Sequence, residues 1–168
     1  MDPGFLMMII ATLLLALSVA ARTRTELRSA VWLRRVFAVM RVVVGAILVL
    51  YAVVKFAGVQ LHRVDIHSDI ATLSSDELFW YFFGYSRVYA FFLAGAELVA
   101  GILLVVPVTA RFGALAVLAV MVNVTILDFA FDVGPVRFWA LGLTVCCVSF
   151  VVVDIDRYRD AIGRLTAK

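Results

Sequence analysis

The sequence predicts an all-α integral membrane protein: an antiparallel four-helix transmembrane bundle with an extra N-terminal transmembrane helix and a short interfacial helix. Of the 168 residues, 65% are hydrophobic and 16% are charged, whereas a water-soluble domain has about 45–50% apolar residues. Long apolar segments separated by short polar stretches run through the chain, and each approaches the roughly 20 residues that cross a bilayer. Both observations indicate a multi-pass membrane protein.

The first apolar segment, residues 5–21, is expected to be a transmembrane anchor within a unit of residues 1–22. Residues 23–35 form an arginine-rich linker, which the positive-inside rule places in the cytoplasm with the N-terminus outside. A cleaved signal peptide is the alternative, because residues 18–21 are small. Signal peptides carry positive charge before the apolar run, however, and here the charged side chain in that position is Asp2.

The second span is predicted at about residues 36–58, with Arg41 near its inner end and Lys55 near its outer end. One interpretation is that both side chains extend to the headgroups. The other is an ion pair inside the bundle. Because Lys55 and Asp128 lie at similar distances from the outer ends of their helices, the sequence predicts that these two pair and so reduce the cost of burying both charges.

Residues 59–87 form the predicted extracytoplasmic loop, and its first part contains His62, Asp65 and His67. These residue types can ligate a divalent metal, but their spacing matches no established site. Solvated loop side chains are therefore expected here, and no metal is predicted.

The second part of that loop predicts a short helix, because Ser74 is followed three residues later by Glu77, the spacing of a capping box. The helix is strongly aromatic, which is typical of a segment at the membrane interface. An aromatic belt that anchors the bundle is the simpler interpretation, and a stacking surface for a quinone or a lipid headgroup is the alternative. The interfacial aromatic candidates are Trp80, Tyr81, Tyr85 and Tyr89.

Spans at about residues 88–107 and 112–131 form a hairpin around a turn that carries Arg111. Glu97 lies 12 residues before Thr109 and Asn123 lies 14 after it, so their depths differ by about 3 Å. We expect these two side chains to meet near the bilayer midplane. The helical neighbours of Glu97 are small, so its face is expected to contact another helix: Ala90, Ala94, Ala100 and Gly101.

The last span is predicted at residues 137–153, after a turn with Gly134 and Pro135. It completes the bundle of residues 36–155 and leaves residues 156–168 as a basic tail. We expect this tail to form a short cytoplasmic helix near anionic lipid. Asp154 and Asp156 are predicted to accept Arg41 or Arg111 from neighbouring helices.

The two cysteines, Cys146 and Cys147, are adjacent within the last apolar run. Successive residues of a helix point about 100° apart, so this pair cannot form an ordinary helical disulfide. Without a CxxC pair or a metal-ligand spacing, thiol-based catalysis is disfavoured.

The chain resembles the DoxX-like family of small membrane proteins over roughly residues 36–155. In residues 41–58, an arginine opens the helix, Gly45 follows and a lysine precedes the closing glycine. In residues 95–133, the resemblance is carried by Glu97, Gly101, Arg111, Asn123 and Asp132. The first helix departs from the family's four-helix core. The resemblance implies a bacterial cytoplasmic membrane and, from some relatives, a link to quinone-coupled or thiol-redox complexes.

Three functions follow from these patterns. The first is a scaffold or accessory subunit, without catalytic activity of its own, that engages a protein partner at its cytoplasmic face. The second is a quinone-linked oxidoreductase subunit with quinone as cofactor, and the third is a small-molecule or proton carrier. No nucleic-acid partner is predicted, because the net charge of +3 is modest and the arginines lie beside apolar segments instead of forming one basic face. The buried polar candidates are Glu97, Asn123, Lys55, Asp128, Arg41, Arg111 and Asp132.

Overall fold

The computed structural model describes residues 3–24, 30–61 and 72–166, and this part of the chain is helical without strands. It contains seven helices: α1 (Pro3–Thr23), α2 (Val31–Phe56), α3 (Ser75–Tyr85), α4 (Arg87–Val105), α5 (Ala110–Ala130), α6 (Val136–Val153) and α7 (Ile155–Thr166). Five of them, α1, α2, α4, α5 and α6, are long and apolar enough to cross a membrane. The described part of the chain is all-helical, and the protein is a multi-pass membrane protein, as predicted.

The last three spans begin and end within two residues of their predicted limits. The second span differs more, because α2 begins at Val31, five residues before the predicted start at residue 36. Arg34 and Arg35 are therefore helical and not part of a linker. Arginine can continue a helix beyond its apolar segment, because the apolar stem of its side chain packs along the helix while the charged group reaches water.

The second to fifth spans pack in their order along the chain, whereas the first span, α1, packs on the last one. Helix α2 packs on α4, α4 on α5, α5 on α6, and α6 on α1, while α2 and α6 touch over a small area. At the α2–α4 contact, a Cβ added to Gly101 would lie 2.9 Å from the carbonyl oxygen of Gly45. The backbones of α2 and α4 thus touch, which requires glycine at both positions.

Helix α6 joins the other spans through small and hydroxyl side chains. A Cβ added to Gly142 would lie 2.7 Å from Cγ of Met7, so α1 lies directly against α6. On the other side of α6, the hydroxyls of Thr125 and Thr144 are 2.8 Å apart and join α5 to α6. Hydrogen bonds of this kind satisfy hydroxyl groups that lipid cannot satisfy.

Helix α3 begins with the predicted capping box. The Ser74 hydroxyl accepts from the backbone N–H of Glu77 at 3.3 Å, and the Glu77 carboxylate accepts from the backbone N–H of Ser74 at 2.9 Å. Phe79 and Phe83 on this helix are buried in an apolar cluster that includes Val133. We call this side of the molecule, covered by α3, the aromatic end.

The opposite side, which we call the basic end, is held by ion pairs around the start of α7. Arg111 Nε lies 3.5 Å from Asp154, which confirms one of the predicted pairings. Arg157 lies 3.0 Å from the same carboxylate, and Arg22 of α1 lies 3.5 Å from Asp156. These contacts fix α7 beside the ends of α1 and α5.

Candidate functional site: a charged cavity at the aromatic end

A cavity of about 460 Å³ lies at the aromatic end among α2, α4, α5 and α6, beneath α3. Small-molecule sites commonly occupy about 300–1,000 Å³ and combine apolar walls with a few polar groups. Three charged side chains, Lys55, Glu97 and Asp128, reach this cavity. Its aromatic walls come from Tyr51, Phe79, Trp80, Phe83, Phe92 and Trp139.

Lys55 and Glu97 form a buried ion pair across the α2–α4 contact. Lys55 Nζ lies 2.6 and 2.7 Å from the two carboxylate oxygens of Glu97. The side chains are only 10% and 6% exposed. Each charge therefore neutralises the other in a setting where an isolated charge would be costly.

The direction of helical side chains explains this pair. Lys55 and Glu97 lie roughly 15 and 6 Å beyond Gly45 and Gly101 toward the aromatic end, at 1.5 Å per residue. Side chains tilt toward the N-terminus of their own helix. Since α2 and α4 run in opposite directions, Lys55 reaches inward and Glu97 reaches toward the aromatic end. This tilt closes the difference in depth between the two backbones.

Asp128 is buried but lacks the predicted pairing with Lys55, whose ammonium is bound to Glu97 instead. Only 4% of Asp128 is exposed, and its Oδ2 atom is buried without a hydrogen-bond partner. Asp128 lines the same cavity as Lys55 and Glu97. Asp128 therefore presents an unsatisfied carboxyl oxygen to the cavity.

Tyr51 and Trp139 are members of this cavity that sequence reasoning missed. The Lys55 ammonium lies 5.8 Å from the centre of the Tyr51 ring, a cation–π distance that stabilises the charge further. The signal was present in the sequence, because Tyr51 precedes Lys55 by one helical turn. Trp139 carries no such local signal.

The remaining buried-core candidates lie elsewhere. Asn123 borders the cavity but is exposed, and it makes no hydrogen bond to Glu97 among the bonds of the described residues. Asn123 and Glu97 were predicted to meet because they lie at similar depths in the membrane. Depth alone does not determine which face of its helix a side chain occupies, so the prediction was wrong. Arg41 and Arg111 lie at the basic end. Asp132 is exposed in the turn after α5, at φ 53°, and pairs with Arg137.

The interfacial aromatic candidates are divided between the cavity and the surface. Trp80 lines the cavity and its indole N–H donates to Asp76 at 2.9 Å. Tyr81 is half-buried, whereas Tyr85 and Tyr89 are exposed. The short helix is therefore both a surface belt and the cover of the cavity.

The weak metal candidates His62, Asp65 and His67 lie outside the described residues. Within the described residues, no group of three His, Cys, Asp or Glu side chains could hold a metal ion. Cys146 and Cys147 are buried and free, without a disulfide between them.

Comparison with known protein sequences shows a relative of this chain from which its family follows. The chain is 31% identical over 108 residues to the uncharacterized protein YwoB of Bacillus subtilis, an alignment that covers 64% of this chain and 70% of YwoB. The chain belongs to the same family as YwoB. No family model and no solved structure matches it. Because YwoB is itself uncharacterized, evidence on function comes from the cavity.

Proposed function

We propose that this member of the YwoB family binds a lipophilic small molecule within the membrane, in the cavity at the aromatic end. The observation that carries the proposal is the Asp128 carboxyl, which is buried, lacks a partner at Oδ2 and lines the cavity. An unsatisfied buried polar atom is unfavourable unless a further group completes its hydrogen bonds. A bound ligand would supply that group.

The charge balance of the cavity favours a neutral ligand. Lys55 and Glu97 cancel each other, so an ionised Asp128 would leave one negative charge in an apolar site. A protonated Asp128 removes that charge and gains an O–H donor. The ligand is then expected to carry a hydrogen-bond acceptor such as a carbonyl oxygen.

A quinone meets these requirements by chemical class. Its flat ring would stack against walls such as Phe83 and Trp139, and its carbonyl oxygen would accept from Asp128. Glu97 is poorly suited to the role of proton acceptor, because both of its oxygens are bound by Lys55. We therefore assign the proton-exchanging role to Asp128 and not to Glu97, in a quinone-linked membrane subunit.

Tryptophan fluorescence tests this proposal, because Trp80 and Trp139 line the cavity and the third tryptophan, Trp32, lies far from it on α2. In a Trp32→Phe protein, decylubiquinone should quench fluorescence saturably. Quenching that rises linearly with quinone, without saturation, would contradict a binding site.

Two substitutions of Asp128 separate the chemical roles. Asp128→Leu removes the donor and should weaken binding about tenfold, the value of one hydrogen bond of roughly 1.4 kcal/mol. Asp128→Asn keeps a donor and should retain binding, whereas a cationic ligand would lose affinity for both variants. Asp132→Asn, at an exposed acid of the same end, is the matched control and should bind as the parent does.

A scaffold or accessory role is the second candidate, and α7 supports it. Ile162 and Leu165 of α7 are 60% and 78% exposed, so its apolar side is free to contact a partner protein or the lipid surface. Deleting the residues after Asp154 should then reduce recovery of a crosslinked partner. Unchanged recovery would remove α7 as the docking segment.

A carrier role receives less support. It requires a polar route across the membrane, and the α2 and α4 backbones touch at Gly45 and Gly101 directly below the charged cavity. This contact closes the α2–α4 side of any such route.

We further infer a DoxX-like arrangement, in which α2, α4, α5 and α6 form the bundle and α1 packs outside it on α6. The basic end would face the cytoplasm of a bacterial cell, with the N-terminus outside and α7 inside. The clustering of Arg22, Arg34, Arg35 and Arg111 at one end supports this orientation through the positive-inside rule.

A further inference from the structure

A second cavity, of about 340 Å³, lies at the basic end among α2, α5, α6 and α7. Four arginines line it, Arg34 and Arg41 from α2, Arg111 from α5 and Arg157 from α7, together with one carboxylate, Asp154. The guanidinium groups exceed the carboxylate by three positive charges. The cavity at the aromatic end has no such excess of positive charge, because its one ammonium, on Lys55, is bound by Glu97.

The positive charges of this cavity are unevenly neutralised. Asp154 is shared by Arg111 at 3.5 Å and Arg157 at 3.0 Å. Within the described part of the chain, neither Arg34 nor Arg41 forms an ion pair. The Nε–H group of Arg41 is buried and has no hydrogen-bond acceptor. Buried N–H donors are normally paired, so this one is suited to donate to an anionic or carbonyl oxygen of a ligand.

The cavity also has an apolar side and a favourable helix end. Leu33, Phe37 and Phe150 form part of its wall, and Arg41 lies ten residues into α2, roughly 15 Å from the helix start. Ala110, the first residue of α5, borders the cavity. The N-terminus of a 21-residue helix adds partial positive charge and free N–H groups there.

We propose that this cavity binds the phosphate group of an anionic phospholipid. Guanidinium groups bind phosphate oxygens through paired, charge-assisted hydrogen bonds, and Arg41 offers an N–H that lacks an acceptor. The apolar wall suits the first part of an acyl chain. Free phosphate would make no use of that wall. Basic pockets between transmembrane helices are known to hold such headgroups. This site is independent of the small-molecule cavity at the aromatic end.

Native mass spectrometry of the full chain in detergent tests the proposal on the unmodified protein. Phosphatidylglycerol and phosphatidylcholine of the same acyl chains are titrated separately, and the fraction of lipid-bound protein is measured. We expect one phosphatidylglycerol to bind at least about tenfold more tightly than phosphatidylcholine, since an anionic phosphate gains charge-assisted hydrogen bonds without a neighbouring cation. Equal affinity for the two lipids would overturn the proposal.

Matched arginine variants locate the binding. Arg41→Gln and Arg34→Gln should each weaken phosphatidylglycerol binding about tenfold or more. Arg35→Gln is the control, because Arg35 neighbours Arg34, carries the same charge and is exposed without lining the cavity. An equal loss in Arg35→Gln would show diffuse surface attraction and overturn the assignment.

Two further arms keep the result decisive. Arg41→Lys keeps the positive charge but loses the planar guanidinium group, so we expect a partial loss of phosphatidylglycerol binding. This variant serves as the test if Arg41→Gln fails to fold. Unchanged binding in both Arg41→Lys and Arg34→Gln would overturn the proposal. Inorganic phosphate is added as competitor to the lipid-bound protein. Retention of the lipid supports the phospholipid, whereas full displacement at equal concentration would identify free phosphate as the ligand and overturn the lipid assignment.

Discussion

The contact between Lys55 and Glu97 shows how far single residues could be predicted. The sequence predicted that Glu97 faces protein and left Lys55 open between the headgroups and an ion pair inside the bundle; both side chains are buried. It assigned Asn123 to Glu97 and Asp128 to Lys55, because depths were counted along the backbone. The pairing depends on helix neighbours and on side-chain tilt, and neither can be read from depth alone.

A double-mutant cycle on Lys55 and Glu97 tests their coupling. Lys55→Met alone should destabilise the protein by about 3–5 kcal/mol, because it leaves a buried carboxylate without its partner. Adding Glu97→Leu should recover most of that loss. Unfolding in mixed detergent, followed by circular dichroism, measures the free energies. Strictly additive losses would contradict the pair.

The capping box at Ser74 gives a pH-dependent prediction. Hydrogen bonds from the backbone N–H and then the hydroxyl of Ser74 hold the pKa of Glu77 below its ordinary 4.5. Because the folded-state pKa is lowered, the stabilisation of α3 is present above that ordinary value and is lost as the pH falls through the folded pKa.

Two substitutions at Ser74 separate the contributions to that pKa. Ser74→Ala removes the hydroxyl and should raise the pKa of Glu77 part of the way to 4.5. Ser74→Pro also removes the N–H, and the Ser74 φ of −64° already suits proline. The pKa of Glu77 should therefore rise further in this variant than in Ser74→Ala. Carboxyl ¹³C NMR titration measures both, and identical pKa values in the parent and the proline variant would contradict the capping box.

At the scale of helices, the lengths of the spans were predictable from hydropathy, and the short turn at Arg111 correctly predicted that α4 and α5 are neighbours. The contacts of α2 with α4 and of α1 with α6 were not predicted. The order of packing, with α4 between α2 and α5, is set by where small residues let backbones approach. The sequence placed Gly101 on the small-residue face of Glu97 that was expected to contact another helix, and that face is buried. Gly95 lies outside it. Only Gly101 meets another backbone.

Alanine substitutions at these two glycines form a matched test on one helix. Gly101→Ala should destabilise the protein by about 1–3 kcal/mol, because its Cβ would press on the carbonyl of Gly45. Gly95→Ala has nothing within 4 Å of its Cβ and should be neutral or stabilising by up to about 1 kcal/mol. Equal effects on the unfolding free energy would contradict the close α2–α4 contact.

For the whole molecule, the chemistry differs between its two ends. The aromatic end has an apolar cavity with a buried acid, and the basic end has a cavity with an excess of arginine. The sequence predicted the charge asymmetry from the positive-inside rule. It could not predict either cavity, because each forms where side chains from four helices fail to fill the space between them.

Single-cysteine labelling tests the proposed orientation. In a background with Cys146→Ala and Cys147→Ala, Ser75→Cys at the aromatic end should react with a membrane-impermeant maleimide in intact cells. Thr166→Cys on α7 should react only after the cells are lysed. Labelling in the reverse pattern would invert the topology while leaving the helix contacts unchanged.

The central claim is that the cavity at the aromatic end is a binding site organised by the Lys55–Glu97 pair and completed by a ligand at Asp128. An experimental structure determined in native lipid tests it most directly. We expect Lys55 to remain bound to both oxygens of Glu97, and density for a small lipophilic molecule within hydrogen-bond distance of Asp128 Oδ2. A cavity filled by collapsed Phe79 and Phe83 side chains, or a Lys55 ammonium bound to Asp128 instead of Glu97, would contradict the account.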